Sequence, residues 1–479
     1  MAPVRFLLNG VETSAEGIAP TTTALSFLRY GARLTGTKEG CAEGDCGACT
    51  VLVSEPDGQG GLTRRAMNAC ILFVPALHGR AVETVEHLGR DGLHPLQAAM
   101  VERHASQCGF CTPGFVMQLY SGWLNGALTD RQSVKDTISG NLCRCTGYGP
   151  IVDAGVALGA LPLPDTAEAD RAQAAQLSAL RGGGTFEYRH GDAVWFSPDN
   201  VDDLADLYAS HPDAVLVAGA TDVGLWVTKQ HRDLPVLIDV SRVADLSMVE
   251  EAGGRFYFGA AVTHRAALEA LARIHPSLGA MMRRFAGAQV RNAGTVGGNI
   301  ANGSPIGDLP PALIALDARL HLRRGDDARS LPLEDFFLAY GRQDRAAGEF
   351  VAAVEVPELS SDERFGCYKV SKRSDSDISA VLAAFRLRLA GDGTVTEARL
   401  AYGGMAGTPA RARAAEAALI GRPFDATTVA AAQAALSQDF TPLTDMRASA
   451  QYRLTVAGNL IERFRLELSG MPATIGEVA

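Results

Sequence analysis

Cysteine is the residue type that sets the possible chemistry of this sequence, because eight of its nine cysteines fall within the first 145 residues. The ninth, Cys367, stands alone far down the chain. Intracellular thiols stay reduced, and a disulfide framework would not leave the rest of the chain with one thiol. The clustering therefore predicts metal ligation or redox chemistry in the first third. The eight cysteines are Cys41, Cys46, Cys49, Cys70, Cys108, Cys111, Cys143 and Cys145.

The first four cysteines are separated by four, two and 20 residues, which is the plant-type ferredoxin spacing for a [2Fe–2S] cluster. Three thiolates from one short loop must then converge on two irons, and Gly40, Gly44 and Gly47 allow the tight backbone path that this requires. A four-cysteine zinc site uses the same ligands, although such a site usually presents two short knuckles. The spacing favours the iron–sulfur cluster.

The second four cysteines form a Cys-x-x-Cys pair and, 31 residues later, a Cys-x-Cys pair. In an extended backbone, side chains two residues apart point the same way, so Cys143 and Cys145 can face one metal. A redox-active dithiol is the alternative for the first pair, but it leaves the second pair unexplained. The pattern predicts a second cluster.

The elements that must position these thiols can be predicted from local patterns. Residues 4–8 and 51–53 have the composition of short strands, which suits a small β-rich module around the first quartet. Residues 94–106, 113–126 and 130–140 have helical periodicity, and Pro113 fits the first turn of a helix. We therefore expect a small helical bundle to hold the second quartet.

The composition of the sequence changes after Tyr148. Residues 161–186 are rich in Ala and then Gly, which is typical of a connector with a possible helix. The glycines at 182–184 follow no strand and lack the Lys-Ser/Thr of a P-loop, so a phosphate loop is disfavoured there.

Two further glycine-rich turns lie at 219–224 and 295–299, the first directly after a β-type run at 214–218. Neither turn matches Gly-x-Gly-x-x-Gly, so a Rossmann nucleotide site is disfavoured. Their composition exposes backbone N–H groups that could bind a pyrophosphate. Purely structural turns are the alternative, since glycine is common in turns.

Composition excludes several classes of protein. The chain has 479 residues with a net charge of −10, so an overall basic footprint for nucleic acid is absent. No stretch predicts a membrane span, and the N-terminus lacks a signal-peptide core, so we expect a cytoplasmic protein. No zinc-protease motif, nucleophile elbow or nucleophile–base pair is visible, and we predict no catalytic residue on this chain.

Both cysteine patterns, in this order, resemble the iron–sulfur portion of the xanthine dehydrogenase family of molybdenum hydroxylases. The resemblance lies in residues 40–49, 107–115 and 140–148, and it implies that each quartet holds its own [2Fe–2S] cluster. It also implies that the segments around 216–222 and 295–299 bind the pyrophosphate of FAD. The implied FAD contacts are Val215, Leu216, Val217, Ala218, Gly219, Ala220, Thr221, Asp222, Phe285, Thr295, Val296, Gly297, Gly298, Asn299, Asp308 and Ile378.

Two of these contacts have local alternatives. Asp308 would serve as a hydrogen-bond acceptor towards the ribose or adenine of FAD, whereas locally it could cap the helix that begins before Pro310. Ile378 corresponds to a position against the flavin ring, but it could equally be a core isoleucine. Cys367 is best explained as a buried thiol.

The resemblance implies a multidomain α+β protein. A β-grasp ferredoxin-like domain (1–82) precedes a helical-bundle [2Fe–2S] domain (83–160) and a linker (161–186). A non-Rossmann α+β FAD-binding domain (187–355) and a C-terminal α/β subdomain (356–479) complete it.

The expected role is electron transfer. The resemblance implies that a large partner subunit alone carries the molybdenum cofactor, in a dimer of heterodimers. Electrons would pass from it through both clusters to FAD and then to NAD+, during oxidation of hypoxanthine or xanthine to urate. Another molybdenum hydroxylase, acting on an aldehyde, nicotinate or an aromatic acyl thioester, is the second hypothesis. A zinc-stabilised scaffold without activity is the third.

Overall fold

The computed structural model describes residues 2–90 and 92–471. The chain forms two compact units. The first unit contains the residues up to 245 together with 286–294, and the second contains 246–285 and the residues from 295 onward. The predicted multidomain α+β fold is confirmed.

The first unit opens with a five-stranded β-grasp sheet. Its first hairpin turns at Asn9 and Gly10, which both adopt positive φ, as a two-residue turn between strands of right-handed twist requires. The strands that come first and last in the chain pair in parallel, and the other pairs of neighbouring strands are antiparallel. In spatial order the strands are Val11–Ala15, Val4–Leu8, Ala81–Glu83, Thr50–Pro56 and Leu62–Asn68. Helical turns lie at Ala24–Ser26, Phe27–Gly31 and Val74–Leu77.

Five helices then form the predicted bundle. Pro113 lies in the first turn of the helix Thr112–Leu124, where a missing N–H costs nothing. The bundle packs around a buried core that includes Phe115, Val134 and Ile151. The helices are Val85–Leu88, Pro95–Glu102, Thr112–Leu124, Arg131–Ile138 and Gly149–Gly159.

The connector contains a long helix, Ala167–Arg181. Its buried face places Leu177 and Leu180 against Leu7 and Ala81 of the β-grasp sheet. Asp170 on the same helix accepts a hydrogen bond of 2.9 Å from Arg64. The possible helix in this segment is therefore real, and it is docked on the first sheet.

The remainder of the first unit is a four-stranded sheet with short helices. Val215–Val217 is its edge strand and runs parallel to Val236–Asp239. The strands in spatial order are Phe186–His190, Ala193–Ser197, Val236–Asp239 and Val215–Val217. The helices are Val201–Ser210, Val223–Thr228 and Ala288–Ala293.

The second unit contains a five-stranded and a four-stranded antiparallel sheet, each covered by helices. The first has the spatial order Val249–Ala252, Arg255–Gly259, Phe350–Pro357, Arg319–Arg324 and Asp327–Pro332. The second consists of Glu363–Val370, Val381–Leu389, Val395–Gly403 and Ala410–Arg411, and a small hairpin joins Phe337–Ala339 to Arg342–Gln343.

The helices of the second unit are His264–Ile274, Pro276–Arg284, Val296–Asn302, Leu309–Ala315, Arg413–Leu419, Ala426–Asp439 and Ala450–Leu468. The last of these is 19 residues long and keeps several arginines and glutamates along its length. In the described part of the chain, no helix combines the length and apolar character needed to cross a bilayer.

Candidate functional site

The four thiols of the first quartet meet in one place. Cys41 hydrogen-bonds to both Cys46 and Cys70, and Cys49 hydrogen-bonds to Cys70. Cys49 and Cys70 are buried, whereas Cys41 and Cys46 are half-buried. The backbone N–H of Cys46 donates to Cys41 Sγ at 3.3 Å. Residues that lie up to 29 positions apart (41 to 70) in the sequence thus form a single sulfur cluster.

The loop that carries three of these thiols has the backbone path expected from its glycines. Gly44 and Gly47 adopt φ of +82° and +68°, values that side chains with a Cβ rarely reach. A Cβ on Gly40 would lie 2.7 Å from Cys46 Sγ, so a larger residue would collide with a ligand candidate. Ala42 also has a positive φ of 55°, which shows how tightly this loop is wound.

The second quartet forms two thiol pairs. Cys145 Sγ lies 3.7 Å from Cys108 Sγ, and Cys111 hydrogen-bonds to Cys143. Residues 144–146 form a bend, so the Cys-x-Cys segment is not extended as expected. The turn is held by the N–H of Cys145, which donates to Cys143 Sγ at 3.4 Å. The two thiols of Cys-x-Cys therefore face different partners across one site.

The pKa values of the Cys111 and Cys143 thiols indicate that this site needs a bound cation. Burial and the neighbouring Cys143 raise the pKa of Cys111 to about 12. Burial opposes ionisation of Cys143 as well, but hydrogen bonds from the Thr146 side chain and backbone lower its pKa below the ordinary thiol value. Sulfurs this close cannot all become thiolates without a cation among them.

The pairing of the thiols suits two irons better than one ion. Among the residues that the structure describes, no three Cys, His, Asp or Glu side chains surround a single point as one metal ion would require. A tetrahedral zinc site needs four ligands around one point. A [2Fe–2S] cluster is held by four cysteines shared between two irons, which fits the two thiol pairs of the second quartet.

The first glycine-rich segment lies at the end of the edge strand Val215–Val217. In the described residues nothing accepts a hydrogen bond from the backbone N–H groups of Gly219, Ala220 and Thr221. Ala220 has a positive φ of 56°, so the chain turns sharply here and presents successive N–H groups. Such a concave run of amides binds anions such as a pyrophosphate.

This segment is tied to the first cysteine loop within the same unit. The helix Val223–Thr228 follows it directly, and Thr228 Oγ1 donates to the carbonyl of Ala42 at 2.7 Å. A Cβ on Gly224 would lie 2.7 Å from Ile71, next to Cys70. A narrow crevice without room for a water molecule adjoins the segment, lined by Met67, Asn68, Ile71, Leu72, Gly219, Thr221, Gln289 and Ala293.

The second glycine-rich segment differs from the expectation, because its backbone N–H groups are already used. Val296 and Gly297 donate to carbonyls of Val262 and Ala260, and Gly298 donates to Thr295 Oγ1. What remains is Asn299 Oδ1, which is buried and has no hydrogen-bond partner among the described residues. A Cβ on Gly297 would overlap Ala260 at 2.5 Å, so this glycine serves packing.

The remaining three expected FAD contacts lie in the second unit. Phe285 packs edge-on against His264, with ring centroids 4.7 Å apart. Ile378 is 41% exposed, so the alternative of a core isoleucine is wrong. Its neighbour Asp377 accepts hydrogen bonds from two backbone N–H groups.

Asp308 has partners that the sequence reasoning missed. Its carboxylate accepts from Lys369 Nζ at 2.6 Å and from Ser379 Oγ at 2.5 Å, and all three side chains are buried. It makes no side-chain bond at the start of its helix, so the capping alternative is wrong for the side chain. A lysine that directly follows the buried residues 365–368 of the strand Glu363–Val370 was the available signal, since a buried ammonium requires a partner.

Comparisons with known proteins agree on the type of each region. Residues 6–74 match the 2Fe-2S iron-sulfur cluster binding domain, and residues 84–155 match a second [2Fe-2S] binding domain. Residues 185–359 match the FAD binding domain in molybdopterin dehydrogenase. Residues 366–468 match the CO dehydrogenase flavoprotein C-terminal domain.

Curated relatives include several complete enzymes. Xanthine dehydrogenase of Drosophila subobscura is 35% identical over 84% of this chain and 34% of its own length. Xanthine dehydrogenase/oxidase of Gallus gallus is 30% identical over 84% and 35%, and aldehyde oxidase 2 of Macaca fascicularis is 31% identical over 84% and 34%. The chain thus spans about a third of the length of these relatives.

Solved structures resemble a little over half of the chain. A carbon monoxide dehydrogenase chain from Hydrogenophaga pseudoflava is 29% identical with a TM-score of 0.53, over 56% of this chain and 94% of its own. A quinoline 2-oxidoreductase chain from Pseudomonas putida 86 is 26% identical with a TM-score of 0.52, over 57% and 95%.

Proposed function

We propose that this chain is an electron-transfer subunit of a molybdenum hydroxylase, because its regions match two [2Fe–2S]-binding domains and an FAD-binding domain and because it is similar to xanthine dehydrogenases. In this role it takes electrons from a molybdenum centre on a partner chain and delivers them to NAD+. When bound, the clusters and FAD together supply the coupling between one-electron and two-electron carriers. The gathering of the eight cysteines into two separate groups of four thiols is the observation that carries the proposal.

The proposed ligands are the eight clustered cysteines, four for each cluster. The chain holds the first quartet with its wound glycine loop and the second with the bend at 144–146. Its N–H groups donate to Cys41 Sγ and Cys143 Sγ, and such bonds to sulfur are one of the factors that set a cluster's potential.

The proposed FAD contacts are 215–222, Phe285, 295–299, Asp308 and Ile378. The unbonded amides at 219–221 support a role on the pyrophosphate, and the buried, unpaired Asn299 Oδ1 supports a ligand at the second segment. Lys369 and Ser379 would hold the Asp308 carboxylate in place. An exposed Ile378 can offer its side chain to a flat ring without rearrangement.

We propose xanthine or hypoxanthine as the substrate of the partner, with urate as the product, because xanthine dehydrogenases of insects, vertebrates and a plant are among the similar curated proteins. A second candidate is another hydroxylase of the family, favoured by the match to aldehyde oxidase 2 and the structural match to quinoline 2-oxidoreductase. The matches to two [2Fe–2S]-binding domains favour iron–sulfur clusters over the hypothesis of a zinc-stabilised scaffold.

We further propose that the partner is a large molybdenum subunit, joined in a dimer of heterodimers in the cytoplasm. The exposed edge at Cys108 and Cys145 supports this assignment. A cluster that exchanges electrons with another protein must come near the surface, and these are the two exposed thiols among the nine cysteines.

The ligand assignment is tested with Cys145→Ser and Cys367→Ser. Cys367 is buried, pairs with no other thiol in either quartet and therefore serves as the matched control. In Cys145→Ser, one of two [2Fe–2S] signals in the electron paramagnetic resonance spectrum should weaken while the other and the FAD content persist. Equal loss of both signals, or equal effects of the two variants, would contradict the assignment.

A further inference from the structure

One polar side chain from the flavin-binding domain lies between the two cysteine loops. Gln289 belongs to the helix Ala288–Ala293, within residues matched to the FAD-binding domain, and this segment is part of the first unit. Its side chain is almost fully buried, at 1% exposure. A buried amide must find hydrogen-bond partners, and where it finds them shows what it holds.

The Gln289 amide closes a ring of hydrogen bonds. Its Nε2 donates to Thr50 Oγ1 at 3.0 Å and to Asn141 Oδ1 at 2.8 Å. Thr50 Oγ1 and Asn141 Nδ2 both donate to the carbonyl of Gly47, at 2.6 and 3.0 Å. Thr50 and Asn141 are also buried. Because these side chains are buried, loss of one donor leaves acceptors unpaired and disturbs the whole ring.

The other three members of the ring lie within two residues of a cysteine of one quartet. Gly47 lies between Cys46 and Cys49, and Thr50 directly follows Cys49. Asn141 lies two residues before Cys143. The ring therefore joins the first cysteine loop to the second one, with Gln289 as the side chain that reaches both.

Glycines let the three segments approach this closely. A Cβ on Gly47 would lie 2.4 Å from the carbonyl of Gly140, and a Cβ on Gly140 would lie 2.0 Å from Gln289 Oε1. A Cβ on Gly287 would lie 2.6 Å from the Cα of Gly140. The backbones are thus in contact, and the Gln289 side chain lies directly against the Gly140 turn.

A main-chain hydrogen bond also connects the two cysteine loops close to the proposed ligands. The N–H of Leu142 donates to the carbonyl of Cys46 at 3.0 Å. Leu142 is adjacent to Cys143, so candidate ligands of both clusters are joined by one hydrogen bond. Any slip between the loops would change this bond and the separation of the two sites.

We propose that Gln289 is a positioning residue that fixes the separation of the two [2Fe–2S] clusters, so that the flavin-binding domain sets the geometry of electron transfer between clusters that it does not itself bind. This inference rests on the proposed function. It assigns the role to the hydrogen-bond ring of Gln289, Thr50, Gly47 and Asn141, and it involves no contact between Gln289 and a cluster.

The test uses Gln289→Met in the full-length chain loaded with clusters and FAD. Methionine keeps the length and apolar volume of the side chain but cannot donate to Thr50 or Asn141. The readout is the electron paramagnetic resonance spectrum of the fully reduced protein, since magnetic interaction between two spins depends on their separation. We expect the g values or the spin–spin splitting to shift while iron and FAD contents stay unchanged.

Gln433→Met is the matched control, because Gln433 donates to the carbonyl of Gly458 at 3.0 Å in the second unit and should leave the spectrum unchanged. An unchanged spectrum for Gln289→Met with full iron content would overturn the inference. If that variant loses iron, Thr50→Val breaks the other arm of the ring and must shift the spectrum instead. Loss of iron from both variants would reduce the ring to a folding role and equally overturn it.

The two proposals fail in different ways. A wild-type protein without two distinct [2Fe–2S] signals would refute the proposed function before any variant is compared. A wild-type protein with both signals, beside a variant that behaves identically, would refute only the role of Gln289.

Discussion

At the scale of single residues, the surroundings of His78, beside the first sheet, favour its neutral form. His78 stacks on Phe186 with ring centroids 3.8 Å apart, and its Nδ1 accepts a hydrogen bond from the N–H of Arg5. Burial and the nearby Arg242 guanidinium lower the pKa of His78 from 6.5 to about 4. A protonated ring would lose the Arg5 bond and face additional positive charge.

This lowered pKa predicts an acid-sensitive fold. Between pH 6.5 and about 4 the unfolded chain binds a proton that the folded chain refuses, so stability falls as the pH is lowered through this window. His78→Asn keeps an acceptor near the Nδ1 position and cannot be protonated. We expect the variant to lose less stability than the wild type over that range, measured by urea unfolding at several pH values. Identical pH slopes for the two proteins would exclude His78 as a contributor.

At the scale of elements, the helix Ala167–Arg181 makes a prediction that separates a docked element from a flexible linker. Leu177 is fully buried against the first sheet, whereas its neighbour Gln176 is exposed. Leu177→Ala should reduce the free energy of unfolding by about 2–5 kcal/mol, while Gln176→Ala should change it by less than about 0.5 kcal/mol. Denaturant unfolding measures both, and equal effects would show that the helix does not stabilise the first unit.

The elements also show where sequence reasoning reaches its limit. The strands and helices around both quartets were predictable, because glycines, Pro113 and apolar periodicity act locally. The bonded amides of 296 and 297 and the Asp308–Lys369 pair were not, since each depends on a neighbour distant in sequence. The bend at 144–146 was missed although it is held by a local bond, from the N–H of Cys145 to Cys143 Sγ. Gln289 carried no local signal at all, because a glutamine on a short helix becomes informative only when Thr50 and Asn141 lie beside it.

At the scale of the whole molecule, the exposed edge of the second quartet predicts where the proposed partner, a molybdenum subunit, binds. Phe110 lies between two proposed ligands and is 47% exposed. Phe110→Asp places a charge on that edge and should weaken co-purification with the molybdenum subunit, without loss of iron or FAD. Leu443→Asp is the control, since Leu443 is an even more exposed apolar residue in the second unit. A partner retained equally by both variants would place the interface elsewhere.

The inclusion of residues 286–294 in the first unit bears on how the protein is made. A ribosome releases the cysteine loops first, and Gln289 emerges only after another 144 residues (289 − 145). At ordinary synthesis rates this delay is roughly 7–30 s. During that interval the two thiol loops of the nascent chain lack the Gln289 amide that later joins them. We therefore expect the proteins that deliver iron and sulfide to reach the thiols before the ring forms.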